Sequence, residues 1–272
     1  FPQVAGINFT LSTAVAYDAN AETYPASTYY GPKSINRVVI NSINGKEFKA
    51  DDTYAVVTNN FVAGGGDTYY AFAAASAQFD TGIPLDEAVM EYVTTELKGV
   101  IGAQYAAPQG RILMNPFKDV KTSAWYGSYV IDLYNDGIIN GTSATTYAPN
   151  DTLTWAAALK LLLVSHGDLK AADATGADWS KNTIAKAAEL GLVAADLDGA
   201  KAISRLEFCQ VAAKLNKLAE SKTESKFTDC TDGYVMALVD AKVISGMTET
   251  TFEPAASLTR AQIAAFLARS MK

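Results

Sequence analysis

The chain reads as an α+β region over residues 1–112 followed by an all-α bundle of three repeats over residues 113–272. Three observations predict this. Short apolar runs and an Asn44-Gly45 turn mark strands in the first sixty residues. Phe117-Lys118-Asp119 and Phe227-Thr228-Asp229 open two stretches, 110 residues apart, that pass through the same segments in the same sequence. Ser204-x-x-Glu207 and Thr259-x-x-Gln262 carry capping-box signatures at two helix starts. Self-similarity of this kind marks one supersecondary unit stacked on its neighbours, because a single hairpin cannot bury its apolar face alone.

In the first region, Phe9, Leu11 and Ala14 belong to an early strand and residues 37–40 to a second. Asn44-Gly45 turns the chain, and residues 54–58 read as a further strand. Helix-like patterns follow over residues 67–77 and 85–99, and Arg111-Ile112-Leu113 can close the sheet.

In the second region, the first copy (residues 113–168) contains a helix with Tyr126, Val130, Leu133 and Tyr134 on one face, then Gly141, Tyr147-Ala148-Pro149 and Leu153-Thr154. The third copy (residues 225–272) repeats this with Tyr234, Leu238, Val239, Gly246, Phe252-Glu253-Pro254 and Leu258-Thr259. The middle copy (residues 169–224) is degenerate; it keeps Trp179, residues 187–193 and Ile203-Ser204-Arg205-Leu206-Glu207. The expected assembly is a compact bundle with pseudo-three-fold symmetry.

Composition narrows the function classes. The 272 residues are 49% hydrophobic and 19% charged, as in an ordinary folded protein, and no apolar run reaches the ~20 residues that span a bilayer. The net charge of −7 opposes nucleic-acid backbone binding. Residues 1–112 carry 6 Lys/Arg against 11 Asp/Glu, and residues 113–272 carry 16 against 18, so the repeats are the better match for an anionic polymer. Cys209 and Cys230 suit either a disulfide or two buried thiols, the thiols being favoured.

Arg205 and Arg260 stand out. Each occupies the first turn of a helix, where a cation opposes the dipole by roughly 0.3–1 kcal/mol. An anion site at the helix N-terminus is one reason for that placement, and an ion pair with the neighbouring copy is the other.

The three recurring segments resemble the S-layer homology (SLH) family, whose modules tether bacterial surface proteins to the wall. The resemblance covers residues 113–272. It implies a secondary cell-wall polysaccharide as partner, often carrying pyruvate ketals, held in grooves between repeats. The family's Thr-Arg-Ala-Glu motif falls on Ser204–Glu207 and Thr259–Gln262. In the first copy it falls on Thr154-Trp155-Ala156-Ala157, which lacks both Arg and Glu, so that groove is expected to be weak. Trp125 matches an aromatic that can stack on sugar or pack in the core. Gly141 and Gly246 match the family's glycine after the first helix, with a turn role as the alternative.

A second resemblance covers residues 1 to about 112. Residues 1–7 and Asn59-Asn60-Phe61-Val62-Ala63-Gly64-Gly65-Gly66-Asp67 are similar to the C-terminal domain of the 5′-nucleotidase family. It implies a nucleoside pocket in which Phe1 and Phe61 sandwich the base, Gly65 and Gly66 admit backbone close to it, and Asp67 meets the sugar hydroxyls. Thr68 stands where the family has glycine. Phe61 as a core residue and Asp67 as a helix cap are the structural alternatives.

The family's two divalent metal ions need several His, Asp and Asn ligands, which the resemblance assigns to a separate N-terminal domain; the one histidine, His166, reads as a helix-terminal surface residue. No cofactor and no catalytic residue is expected here. The reading is therefore a C-terminal fragment, inactive alone, of a secreted, wall-anchored 5′-nucleotidase, with its leader already removed if exported. The alternatives are a structural S-layer or surface-assembly component with self-association contacts, and a plain carbohydrate-binding module.

Overall fold

The computed structural model describes residues 3–15, 37–73, 75–170 and 172–271. The chain divides into two compact units, Phe1–Leu113 and Met114–Lys272.

Among the described residues the first unit is built on a four-stranded sheet of order β3-β2-β1-β4, with β1 Ile7–Ser12, β2 Val38–Ile43, β3 Lys46–Glu47 and β4 Ile112–Asn115. β1 and β2 are antiparallel, pairing Ile7 with Ile43 and Leu11 with Val38 across an irregularity at Asn8/Phe9. Asn44 and Gly45 have φ of 49° and 74°, the left-handed pair that matches strand twist in a two-residue hairpin. The Phe9 N–H donates to the Arg111 carbonyl at 2.9 Å, so the Arg111 segment does join the sheet. Two expectations need correction. Residues 54–58 form no strand; the Tyr54 hydroxyl bonds the Lys49 backbone, and Val57 is 95% exposed. The helix expected over residues 67–77 reduces to α2 Tyr70–Ala73, preceded by a short α1 Asn60–Ala63, while that over 85–99 is present as α3 Leu85–Glu91 continued by a wider π turn over Tyr92–Glu96. No side chain of α2 or α3 is buried. Helical propensity without a packing face does not propagate far.

Among the described residues the second unit contains six helices: α4 Gly127–Asn135, α5 Trp155–His166, α6 Trp179–Glu189, α7 Arg205–Leu215, α8 Gly233–Asp240 and α9 Arg260–Ser270. Their caps follow from sequence. Ser204 and Glu207 form a reciprocal capping box on α7, and Thr259 and Gln262 do so on α9. Thr154 caps α5, which ends on Gly167 at φ 86°. Val130, Leu133, Leu238 and the α7 and α9 faces around Phe208 and Phe266 are buried, and those two rings meet edge to face at 4.9 Å.

Packing runs in a cycle: α5 packs on α6, α7 on α8, and α9 back on α4. The backbone repeats the cycle at the centre. The Leu153 N–H donates to Leu258 O at 2.9 Å, Leu258 N–H to Ile203 O at 3.0 Å, and Ile203 N–H to Leu153 O at 3.1 Å. Three equivalent buried residues thus satisfy one another in a closed ring, where unpaired amides would each cost about 1–3 kcal/mol.

Candidate functional site

Two places hold the residues singled out by sequence. In the repeat unit, the residue after each cap reaches across to the next hairpin. The Arg205 backbone N–H donates to Ala256 O, its Nε donates to Phe252 O at 2.9 Å, and one terminal nitrogen lies 3.5 Å from Ser245 O. Its guanidinium sits 4.6 Å from the Phe252 ring centre. Arg260 repeats the arrangement on the first hairpin: Nε donates to Tyr147 O at 2.7 Å, a terminal nitrogen donates to Asn140 O at 2.9 Å, and the group lies 4.5 Å from the Tyr147 ring.

This geometry corrects the expected choice between ligand site and ion pair. Among the described residues neither arginine has a carboxylate partner within salt-bridge distance. Each is tied to the neighbouring hairpin by carbonyl oxygens and a ring face. The unfavourable helix-end position is offset by these bonds, while a guanidinium with five N–H donors keeps donors to spare. Arg205 is 8% exposed, and burial lowers its pKa, opposed by the nearby Cys209, Glu253 and Asp229. Burial pushes Tyr147 up to about 12, with Arg260 pulling the other way.

A third participant was missed at the sequence level. Asp119 accepts from the Tyr147 and Ala148 N–H groups at 2.9 and 2.7 Å, and Asp229 accepts from Phe252 and Glu253 at 2.8 Å each. Each carboxylate clamps a loop whose next residue, Ala148 or Glu253, has φ 58°. The clamp therefore aims the carbonyl that receives the arginine. Those two N–H bonds hold Asp229 below the usual carboxylate pKa. The recurring Phe-x-Asp was the available signal.

Gly141 and Gly246 are not turn glycines of positive φ. A Cβ on Gly141 would collide with Ser143 O, Thr146 O and the Phe117 ring; one on Gly246 would meet Thr248 O, Thr251 O and the Phe227 ring. Gly246 and Arg205 line one cavity of about 340 Å³ together with Trp125, Gln262 and Arg269. Trp125 is 60% exposed, with its ring edge-on to Tyr126 at 5.4 Å, so it is not a core residue. Arg260 and Gly141 lie at the other junction, beside Asn140 and Tyr147.

At the first hairpin Trp155 holds the arginine position. Its N–H donates to Lys201 O, and Ala156 N–H donates to Gly199 O, copying the backbone pattern without the guanidinium. Cys209 and Cys230 are buried free thiols; burial drives Cys209 up to about 12, so it is inert as a thiolate at neutral pH. His166 is exposed and bonded to Asp168 at 2.7 Å.

In the first unit Phe61, Gly65, Gly66 and Asp67 fall within one tight turn. Asn59 caps α1 by accepting from Val62 N–H at 2.9 Å, which leaves Phe61 58% exposed rather than in the core. Gly65 has φ 87°, and Asp67 has φ 50° inside the turn Gly66–Thr68. A Cβ on Gly66 would strike the Phe61 ring, so glycine lets the ring lie on the loop. Asp67 lies two residues before the cap position of α2, which opens at Tyr70. Phe1, the other proposed ring, lies outside the described residues.

Comparison with known proteins finds a family match within each unit. The S-layer homology domain matches residues 116–158 and 228–264, and the 5′-nucleotidase C-terminal domain matches residues 1–74. The chain thus carries a match to the 5′-nucleotidase C-terminal domain followed by two matches to the S-layer homology domain. Relatives include an endoglucanase of Bacillus sp. (strain KSM-635), 29% identical over 173 residues, covering 55% of this chain and 18% of that protein. The surface-layer 125 kDa protein of Lysinibacillus sphaericus is 40% identical over 84 residues, 28% of this chain and 7% of its own. The trifunctional nucleotide phosphoesterase protein YfkN of Bacillus subtilis (strain 168) is 39% identical over 84 residues, 30% of this chain and 5% of its own. The chain thus spans less than a fifth of each of these relatives.

Among the described residues no group of three His, Cys, Asp or Glu side chains could hold a metal ion, and no helix is long and apolar enough to cross a membrane. The described donor set does not fit a dinuclear phosphatase centre.

Proposed function

We propose that this chain is the C-terminal part of a wall-anchored bacterial 5′-nucleotidase, giving nucleoside recognition and non-covalent attachment to secondary cell-wall polysaccharide. It acts at the cell surface. The two divalent metal ions and the hydrolysis belong to a separate N-terminal domain. The repeats over residues 113–168, 169–224 and 225–272 form a three-fold pseudo-symmetric SLH bundle, with glycan grooves at the Arg205 and Arg260 junctions and a weak one at Trp155.

The observation that carries this reading is the Arg205 junction. There a nearly buried guanidinium, anchored on carbonyls rather than neutralised by a carboxylate, lines a cavity with an exposed tryptophan. A desolvated cation beside an aromatic face suits an acidic sugar. The Phe61–Gly66–Asp67 turn supports base stacking in the same spirit, with Phe1 as the proposed second ring.

The test is co-sedimentation with wall sacculi. Wild-type chain is expected to pellet with them, and R205Q to lose roughly tenfold in affinity, the worth of one charge-assisted contact. Equal pelleting of both proteins would refute the groove. A second reading, a surface-layer assembly component with no enzymatic role, is favoured by the likeness to the surface-layer 125 kDa protein. Self-assembly into sheets without added glycan would decide for it.

A further inference from the structure

We infer that Arg269 is a second cationic contact of the cavity at the Arg205 junction, so that an acidic glycan segment there meets two guanidinium groups. The inference rests on the wall-anchoring reading and deepens it.

Arg269 ends α9, the helix that Arg260 begins. Its Nε and one terminal nitrogen reach the Tyr129 hydroxyl at 3.3 and 3.2 Å, and the guanidinium lies 5.2 Å from the Tyr129 ring. Tyr129 lies in the first turn of α4, and Trp125 precedes the cap residue Tyr126 of the same helix. Trp125 and the α9 residues Gln262, Phe266 and Arg269 line the cavity together with Arg205 and Gly246. The charged lining of the cavity consists of Arg205 and Arg269, and no acidic side chain contributes among the described residues. In a chain of net charge −7, two guanidinium groups facing one cavity without a carboxylate run against the background. A neutral phenol orients Arg269 without consuming its charge.

A purely structural role predicts something different. Lys214 near the end of α7 sits 5.8 Å from the Tyr234 ring, a cation-on-tyrosine contact between α7 and α8 like that between α9 and α4. Lys214 lines no part of the cavity. Both contacts join helices, but only Arg269 faces the proposed ligand.

The experiment uses the full chain, native sacculi, and the same sacculi stripped of secondary polymer with hydrofluoric acid. R269Q is expected to bind native sacculi about tenfold more weakly, with a shallower dependence on salt because one fewer charge is screened. K214Q should keep wild-type affinity and salt dependence. R269Q binding like wild type with an unchanged salt slope, while R205Q is impaired, overturns the inference and leaves the anchoring reading standing. Wild-type chain that ignores native sacculi overturns both. Should R269Q misfold, the wild-type protein answers alone: titration with the released polymer should shift the Arg269 Nε–H resonance, and an unmoved resonance refutes the contact.

Discussion

The two units bury their apolar residues very differently. Before residue 113, Val62 is the one apolar side chain in the core among the described residues, joined only by Thr10 and Gly65, while Phe79, Leu85, Val89, Val100 and Ile101 are all exposed. From Phe117 onward nearly every recurring apolar position is buried, and Val130, Leu163, Ile263 and Leu267 are at or near zero exposure. The repeat unit closes its own core because each hairpin's open face is covered by the next in a cycle. The nucleotidase-like unit forms hydrogen-bonded strands and short helical turns with little interior. Backbone pairing can persist without a core, but stability per residue cannot.

Unfolding experiments can break this contrast. The largest effect is expected for L163A, about 2–5 kcal/mol in urea unfolding, whereas F79A in the other unit should stay within about 0.5 kcal/mol. Similar losses at both positions would erase the distinction. G246A comes next, at about 1–3 kcal/mol, because backbone carbonyls and the Phe227 ring occupy the space of the new methyl. An unchanged urea midpoint would show that this loop yields freely. The smallest and most condition-dependent effect is at Asp229. Its folded pKa is depressed, so its contribution is full above the unfolded value of about 3.9 and disappears as pH falls through the lower folded value. D229N should therefore lower Tm at pH 6 and converge with wild type in strong acid. A constant gap down to pH 2 would mean the carboxylate charge is irrelevant to the clamp.

Much of the repeat unit was legible in the chain. Ser204, Thr259, Glu207 and Gln262 announce helix starts because capping is a local negotiation between a side chain and its own backbone. The Asn44-Gly45 turn and the Arg37 and Arg111 strand segments were readable for the same reason. Residues 54–58 misled: their apolar run fits a strand, yet among the described residues no partner edge takes them up. The helix expected over residues 67–77 fell short, with no side chain of α2 buried. Trp125 suggested core or ligand with equal force, and its exposure removes the core reading.

Local chemistry in the chain therefore specifies caps, turns, the thrice-used hairpin and the residue types at each junction, since these depend on neighbours within a few positions. Which carbonyl Arg205 or Arg260 would grip, why Asp119 and Asp229 recur, and that Arg269 shares a cavity with a residue 64 positions earlier emerged from packing alone. Those contacts join separate hairpins, and a pattern of period 3.6 holds no record of which hairpin comes to lie beside which.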